Sequence, residues 1–179
     1  LELRDDILVK AQTQLDEIAH ALATSLSSRT VGSTATTSGA QSGFEIDLAD
    51  LQQGNSISLT VTTNAGPTTQ RFTIVRVDDP SSLPLSNTLT ADPGDQVIGI
   101  SFAGGVAGAL AALNSALGPN VQFDNPSGSI LRVLDDGAPD LVNIDTLSAT
   151  VTTDAIQSGD GTLPFFVDGS GNTLYSNAI

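Results

Sequence analysis

Residues 56–77 read SISLTVTTNAGPTTQRFTIVRV, and this stretch decides the fold that we expect. Apolar and polar residues alternate on both sides of the turn signal Asn64-Ala65-Gly66-Pro67, which is typical of two strands that each bury one face. The alternating apolar residues are Ile57, Leu59, Val61, Phe72 and Ile74. The stretch therefore predicts an antiparallel hairpin within a β-rich domain.

Similar patterns extend outward from this hairpin. The segment Asp124-Asn125-Pro126-Ser127-Gly128 separates two short apolar runs and predicts a second hairpin. The other strand candidates are residues 44–48, 97–102, 121–123, 130–134, 141–151 and 163–167. Residues 103–117 change to a helical period and end at Gly118-Pro119, which predicts one short helix. Its apolar face consists of Val106, Leu110, Leu113 and Leu117.

Residues 1–28 carry a longer helical pattern. Apolar side chains recur there at alternating steps of three and four residues, which places them on one face of a helix. We expect these residues, called here the apolar seam, to be a helix interface. The apolar seam consists of Leu8, Ala11, Leu15, Ile18 and Leu22. It needs a partner surface, because an isolated helix cannot cover its own apolar face.

The segment that follows is almost entirely Ser, Thr, Ala and Gly from residue 31 to residue 43, a composition typical of flexible connectors. We therefore expect three parts. Residues 1–28 are an amphipathic helix from a helical-bundle core domain, residues 29–43 a linker, and residues 44–179 a β-rich outer domain. The predicted fold class is α+β: a mostly antiparallel β domain with one short helix, preceded by a long N-terminal amphipathic helix.

Composition excludes several classes of function. The 179 residues include 20 Asp and Glu against 6 Lys and Arg, which gives a net charge of −14. This charge repels phosphate backbones and anionic lipids, so we expect neither nucleic acid nor a membrane as a partner. Cys is absent and His20 is the single His, which excludes thiolate catalysis, zinc–thiolate sites and most imidazole chemistry.

The first residue, Leu1, is not an initiator, and the sequence contains no Met. We therefore expect a fragment of a longer protein, in which helices outside the fragment cover the apolar seam. No stretch approaches the about 18 continuous apolar residues that a membrane helix needs.

One stretch is similar to a catalytic motif. Gly99-Ile100-Ser101-Phe102-Ala103 approaches the nucleophile elbow of hydrolases, with a strand before it and a helix after it. In that arrangement the His follows the Ser along the chain, whereas His20 lies upstream. An ordinary strand-to-helix junction is therefore the better interpretation. As a metal ligand, His20 would have only Asp16 and Glu17 as companions nearby, so we interpret it as a solvated residue.

The C-terminal region contains a pattern similar to a calcium loop. Asp168, Ser170 and Asn172 stand at its first ligand positions, but Thr173 and Ile179 stand where that loop needs Gly and a bidentate Glu. A reverse turn is the better interpretation.

Two further patterns resemble ligand sites. Gly104-Gly105 and Gly108 open a helix without the Lys of a phosphate loop. The paired carboxylates Asp78-Asp79 and Asp135-Asp136 would point to opposite faces of a strand, so they cannot easily share a substrate. We expect turns in these places, and we predict no catalytic residue, no cofactor site and no metal site.

The N-terminal residues carry a family resemblance. The stretch Leu1-Glu2-Leu3-Arg4-Asp5-Asp6-Ile7-Leu8, followed by Ala11, Gln14-Leu15-Asp16-Glu17-Ile18-Ala19 and Ala21-Leu22-Ala23, resembles a helix of the flagellar hook-associated protein family of FlgK. That helix runs through a Leu-Leu-Glu-x-Arg-Asp type element into Gln-Leu-Asp-x-Leu-Ala. A Leu-Asn-x-Ala-Leu-Gly helix end at residues 113–118 is similar more loosely, as is the stretch with Phe165-Phe166 and Asp168-Gly169. One departure is Ser27-Ser28-Arg29-Thr30, where the family has an Asn- and His-containing exit.

The resemblance implies a structural subunit of the bacterial flagellum, extracellular, at the junction between hook and filament. It implies that terminal helices join copies of the protein to one another and to neighbouring flagellar axial proteins, while an inserted β-rich domain projects outward. It implies a mechanical role, with no enzyme activity, no cofactor and no small-molecule substrate.

Two alternatives stay open. A secreted β-rich adhesin or carbohydrate-binding domain would need exposed aromatic side chains, and here Tyr175 is the single Tyr and Trp is absent. A hydrolase built on Ser101 would be labelled by a fluorophosphonate.

Overall fold

In the computed structural model of this chain, the described residues are 27–152 and seven single positions before them. Those positions are Leu8, Lys10, Ala11, Gln12, Gln14, Leu15 and Ile18. The chain divides into two compact units. Leu1–Arg29 and Thr152–Ala178 form one unit, and Thr30–Val151 form the other.

Two β-sheets make up most of the described structure. The strands are β1 (Ser28–Gly32), β2 (Thr34–Ser38), β3 (Gln41–Asp47), β4 (Ser56–Thr63), β5 (Thr68–Val77), β6 (Asp95–Ser101), β7 (Gln122–Asp124), β8 (Ile130–Leu134) and β9 (Val142–Thr152). The first sheet has five strands in the order β1-β9-β4-β5-β6, and the second has four in the order β2-β3-β8-β7. Helix α1 (Gly105–Leu117) connects β6 to β7, and two short 3-10 turns, Pro80–Ser82 and Asn87–Leu89, lie between β5 and β6.

The two sheets face each other across one hydrophobic core. In β4, Ile57, Leu59 and Val61 are buried, whereas the Ser and Thr residues between them are not. Leu131 and Val133 of β8 belong to the same core from the opposite sheet. The two-residue alternation places one face of each strand inward, so the result is a β-sandwich.

Both hairpins predicted from the sequence are confirmed. Strands β4 and β5 pair antiparallel across Asn64-Ala65-Gly66-Pro67, with Leu59 opposite Phe72. Strands β7 and β8 pair antiparallel across residues 125–129. In both places the turn residues and the alternation of the flanking residues agree, which is why the local sequence was sufficient.

The predicted fold class, α+β with a long N-terminal amphipathic helix, is wrong. Strands contain 46% of the described residues, in two sheets, and the described part contains one helix of seven residues or more, α1. No long N-terminal helix is established, since most of residues 1–26 lie outside the described residues. The seven described positions of this segment are in helical conformation, but they do not define a continuous helix over residues 1–28.

The expectation of a flexible linker at residues 29–43 does not hold either. Most of that segment lies in β1, β2 and the start of β3, and β2 and β3 form a hairpin with Ala35 opposite Phe44. Thr has a high strand propensity, and Gly39 supplies the positive φ of +63° that the turn needs. A Ser- and Thr-rich composition alone therefore does not separate a linker from an edge hairpin.

One strand pairing departs from the antiparallel expectation. Strands β5 and β6 run parallel, which requires the crossover formed by residues 78–94. Leu83 and Leu85 of this crossover pack on Val75, Val77 and Val97, on the face of the sheet away from the main core. The crossover thus covers apolar side chains at that edge of the sheet.

Helix α1 was predicted within two residues of its observed start, and it ends before Gly118 as expected. Ala109 and Leu113 are buried, and Leu110 and Leu117 pack against the main core. Val106, predicted on the same face, is 42% exposed. Across the part of the chain that the structure describes, no helix is long and apolar enough to cross a membrane.

Candidate functional site

A polar cleft lies on the five-stranded sheet, on the face away from the main core. Its cavity volume is about 430 Å³, and its lining comes from β4, β5, β6 and the crossover before β6. The lining residues are Ser58, Thr60, Thr69, Arg71, Asp92, Gly94 and Asp95. We call this feature the sheet-face cleft.

Strand register brings the charged residues of the sheet-face cleft together. Thr60 of β4 is opposite Arg71 of β5, and Arg71 is opposite Asp95 at the start of β6. The three residues form a row across neighbouring strands, whose side chains lie on one face of the sheet. In that row, Nε of Arg71 lies 3.0 Å from Oδ1 of Asp95.

A turn before β6 fixes the second carboxylate of the cleft. Asp92 Oδ1 accepts a hydrogen bond from the backbone N–H of Gly94 at 2.9 Å, and the Asp95 N–H donates to the Asp92 carbonyl at 3.1 Å. The other carboxylate oxygen, Oδ2, accepts a hydrogen bond from Nη2 of Arg71 at 2.5 Å. Arg71 therefore lies between two carboxylates whose positions are set by backbone hydrogen bonds and strand register.

A second cavity, of about 110 Å³, lies between α1 and the two sheets. Its lining is apolar except for Arg76 and Ser129. The Arg76 guanidinium is already engaged: Nε donates to Asp78 Oδ1 at 2.9 Å, Nη1 donates to the Leu51 carbonyl, and the group lies 5.1 Å from the ring centroid of Phe102. This cavity is a gap in the packing of the core. The guanidinium at its edge already has hydrogen-bond partners, so it is not available to bind or activate a substrate.

Ser101 lies at the end of β6, where its Oγ accepts a hydrogen bond from the Ala103 N–H at 3.3 Å. Gly99, the first residue of the stretch that is similar to a nucleophile elbow, has a role in packing. A Cβ at Gly99 would collide with the side chains of Leu83 and Leu85. Gly99 is thus explained by the packing of the crossover on β6. The hydrolase reading of Ser101 gains no support from this geometry.

The paired carboxylates stabilise turns, as expected. Asp79 Oδ1 accepts from the Ser81 N–H at 2.9 Å and caps the first 3-10 turn. Asp135 Oδ1 accepts from the N–H groups of Ser42 and Gly137, at 3.0 and 2.9 Å. The hydrogen bond to Ser81 also holds the pKa of the Asp79 carboxyl below its ordinary value.

The glycine pattern before α1 is a helix start. Gly104 is the N-cap residue of α1 without a side-chain hydrogen bond, and Gly105 has a φ of +69°. His20, Asp168, Ser170 and Asn172 lie outside the described residues. Within the described residues, no group of three or more His, Cys, Asp and Glu could hold a metal ion.

Four of the five residues of the apolar seam are described. Leu8, Leu15 and Ile18 are 56%, 66% and 65% exposed, and Ala11 is exposed as well. Each of the four is in helical conformation, while Leu22 lies outside the described residues. Steps of seven and three residues separate Leu8, Leu15 and Ile18, and this spacing favours one helical face.

Sequence reasoning missed the sheet-face cleft. Its charged row depends on the parallel pairing of β5 with β6, and no local sequence pattern predicts that pairing. The Asp92-Pro93-Gly94-Asp95 segment is a turn signal in the sequence, yet only the register shows that this turn meets Arg71.

Comparison with known proteins leaves the family open. No family model, no curated protein and no solved structure matches this chain.

Proposed function

We propose that this chain is part of a structural subunit of the bacterial flagellum, at the junction between hook and filament, where it contacts neighbouring subunits through the apolar seam. The observation that carries the proposal is the exposure of Leu8, Leu15 and Ile18. These are three of the six large hydrophobic residues that are exposed among the described residues. Exposed apolar side chains spaced on one face mark a surface for a protein partner.

The order of the two units along the chain supports the same proposal. Residues 30–151 form one unit between two segments that group together as the other. A β-sandwich inserted in this way fits the outward-projecting domain that the family resemblance implies. The role is structural and extracellular, and the partners are other copies of the chain and neighbouring axial proteins.

The net charge of −14 is consistent with a protein whose surface is exposed to water and contacts other proteins. Molecules with so acidic a surface repel one another, and this repulsion is weakest where the surface carries no charge. The apolar seam residues provide uncharged surface of that kind, so specific contact is concentrated where charge repulsion is weak.

Localisation tests the proposal directly. Antibodies raised against residues 30–151 should label intact flagella of the source organism at the boundary between hook and filament in electron micrographs. Deletion of the gene should leave hooks without filaments. A deletion strain prepared in parallel controls for antibody specificity. Label elsewhere in the cell, or normal filaments in the deletion strain, would contradict the proposal.

A further inference from the structure

Strand β2 is an edge of the four-stranded sheet, and its outer side has no partner strand. On β3, Ser42 directs its backbone away from β2: its N–H donates to Asp135 Oδ1 at 3.0 Å, and its carbonyl accepts from the Asp135 N–H at 2.9 Å. Bonded and non-bonded pairs alternate along an antiparallel ladder, so Thr37, opposite Ser42, points its own N–H and carbonyl outward, as does Ala35. These outward groups make no hydrogen bond to other described residues.

Two other edge strands are closed by asparagine side chains. On β7, the Asn114 amide bonds both backbone groups of Phe123. On β6, the Val97 N–H donates to Asn87 Oδ1 at 2.9 Å. Strand β2 has no such cap among the described residues, and it contains no Lys, no Pro and no bulge, the features that commonly keep an edge from pairing. Its edge is therefore open to the addition of another strand.

A groove of about 360 Å³ lies beside this edge, lined by β2, β3 and β9. Phe44 of β3 and Ile144 of β9, from the opposite sheet, line it and are only partly buried. Ala35, opposite Phe44, and Thr37 line it as well, and both are exposed. Because alternate side chains of a strand point to one face, a strand added to β2 would lay every second side chain over this groove and bury apolar surface.

We propose that β2 pairs antiparallel with β2 of a second copy of this chain. With Ala35 opposite Thr37 of the second copy, the outward groups exchange hydrogen bonds, and a twofold axis passes between the two Thr36 residues. The same register places Thr34 opposite Ser38 of the second copy. Thr–Thr and Thr–Ser pairs stabilise neighbouring strands, so β2 is complementary to itself. This contact is separate from the apolar seam and does not depend on the flagellar assignment.

Charge repulsion between copies is weak at this edge. The chain has a net charge of −14, but residues 30–44 contain no charged side chain. On β3, the Glu45 carboxylate lies 3.8 Å from Arg132 Nη1. Three strand spacings, about 14 Å, separate the two β3 strands in the proposed pair, which exceeds the Debye length of about 8 Å at physiological salt. Since each copy contributes a strand of only five residues, we expect a weak dimer that forms at high protein concentration.

Cysteine cross-linking of the full chain tests the register, because the chain contains no Cys. In Thr36→Cys the two thiols face each other across the axis, with Cα atoms about 4.5 Å apart, which a disulfide can bridge. We expect a covalent dimer on a non-reducing gel after mild oxidation. The matched control is Ser38→Cys, on the same face of the same strand. Its own copy lies four residues away along the pair, about 13 Å, so it should stay monomeric.

A mixture of Thr34→Cys and Ser38→Cys should cross-link, since these two positions are opposite each other in the proposed register. The apolar seam also brings copies together under the proposed function, so each experiment is repeated with Leu15→Asp and Ile18→Asp. Thr36→Cys should cross-link equally in that background. Thermal unfolding of the reduced variants shows whether they are folded.

The unmodified chain gives a second measurement. Hydrogen exchange of the Ala35 and Thr37 amides should slow as the protein concentration rises, and rates that do not depend on concentration would overturn the proposal. A monomeric Thr36→Cys, or a Ser38→Cys that cross-links to the same extent, would overturn it as well. Loss of cross-linking when the seam is charged would also overturn it, because the seam would then be the contact and the proposed function would stand.

Discussion

Asn114 of α1 hydrogen-bonds both backbone polar groups of Phe123 in β7. Its Nδ2 donates to the Phe123 carbonyl at 2.8 Å, and its Oδ1 accepts from the Phe123 N–H at 2.9 Å. Nδ2 also donates to the Leu110 carbonyl at 3.0 Å within the helix. Because β7 is at the edge of the four-stranded sheet, the Asn114 amide takes the place that a neighbouring strand would have.

Replacing Asn114 should therefore destabilise the sandwich. Asn114→Leu leaves the N–H and carbonyl of the buried Phe123 without this partner, and each unsatisfied buried group costs about 1–3 kcal/mol. We expect the free energy of unfolding to fall by about 2–4 kcal/mol in urea titrations, as the lower part of that combined range. Asn114→Asp keeps the acceptor and loses the donor. Its free energy of unfolding should lie between those of the parent and Asn114→Leu. An unchanged midpoint for Asn114→Leu would contradict this assignment.

Leu59 tests the position of the main core. Its side chain is 0% exposed and lies on β4 between Leu147 and Phe72 of the neighbouring strands. Leu59→Ala should lower the free energy of unfolding by about 2–5 kcal/mol, from lost burial and the cavity it leaves. The neighbouring Thr60→Ala, on the opposite face of β4, should change it by less than about 0.5 kcal/mol. Equal effects of the two substitutions would show that the strand faces are assigned wrongly.

The Asp47–Ser129 hydrogen bond predicts a pH-dependent contribution to stability. Ser129 Oγ donates to Asp47 Oδ1 at 2.5 Å and the Ala49 N–H donates to the same oxygen at 2.9 Å, and these bonds hold the pKa of Asp47 below its ordinary value. A carboxyl whose pKa is lower in the folded state stabilises the fold above its unfolded pKa, and this contribution disappears as the pH falls through the folded pKa.

Ser129→Ala should therefore destabilise the chain at pH 7 and have a smaller effect near pH 3. Urea titrations of parent and variant at both pH values measure how the loss of unfolding free energy caused by Ser129→Ala changes with pH. Ser148→Ala is the control, since Ser148 makes no side-chain hydrogen bond to other described residues and its effect should not depend on pH. An effect of Ser129→Ala that is equal at both pH values would argue against the coupling to Asp47.

Local sequence predicted the elements whose signals lie within one hairpin or one helix. The turn at residues 64–67 and the flanking alternation are sufficient for β4 and β5, and Gly118-Pro119 is sufficient for the end of α1. Long-range pairing was not predictable in this way. The composition of Thr34–Ser38 is typical of a connector, and only its pairing with β3 shows that it is a strand. Arg71 lies beside Asp95 only because β6 pairs parallel to β5. The fold class failed for a related reason, since the segment of residues 29–43, expected to be a linker, contributes strands to both sheets.

The motif residue Asn114 shows a similar limit. The sequence offered it only as part of a loosely similar helix end at residues 113–118, whereas the structure gives it a specific partner in β7. Its role follows from packing of α1 beside the sheet edge, which no spacing within the helix encodes.

The most direct test of the proposed function is the fraction of cells that carry filaments when the apolar seam is charged in the full-length protein. Leu15→Asp with Ile18→Asp places two carboxylates among residues that are 66% and 65% exposed, so the sandwich of residues 30–151 should keep its unfolding midpoint. Leu89→Asp, at a residue 61% exposed in the crossover, is the matched control. We predict that electron micrographs show few filaments for the double variant and parental numbers for Leu89→Asp. Parental filament numbers for the double variant would contradict the assignment of the apolar seam as the assembly contact.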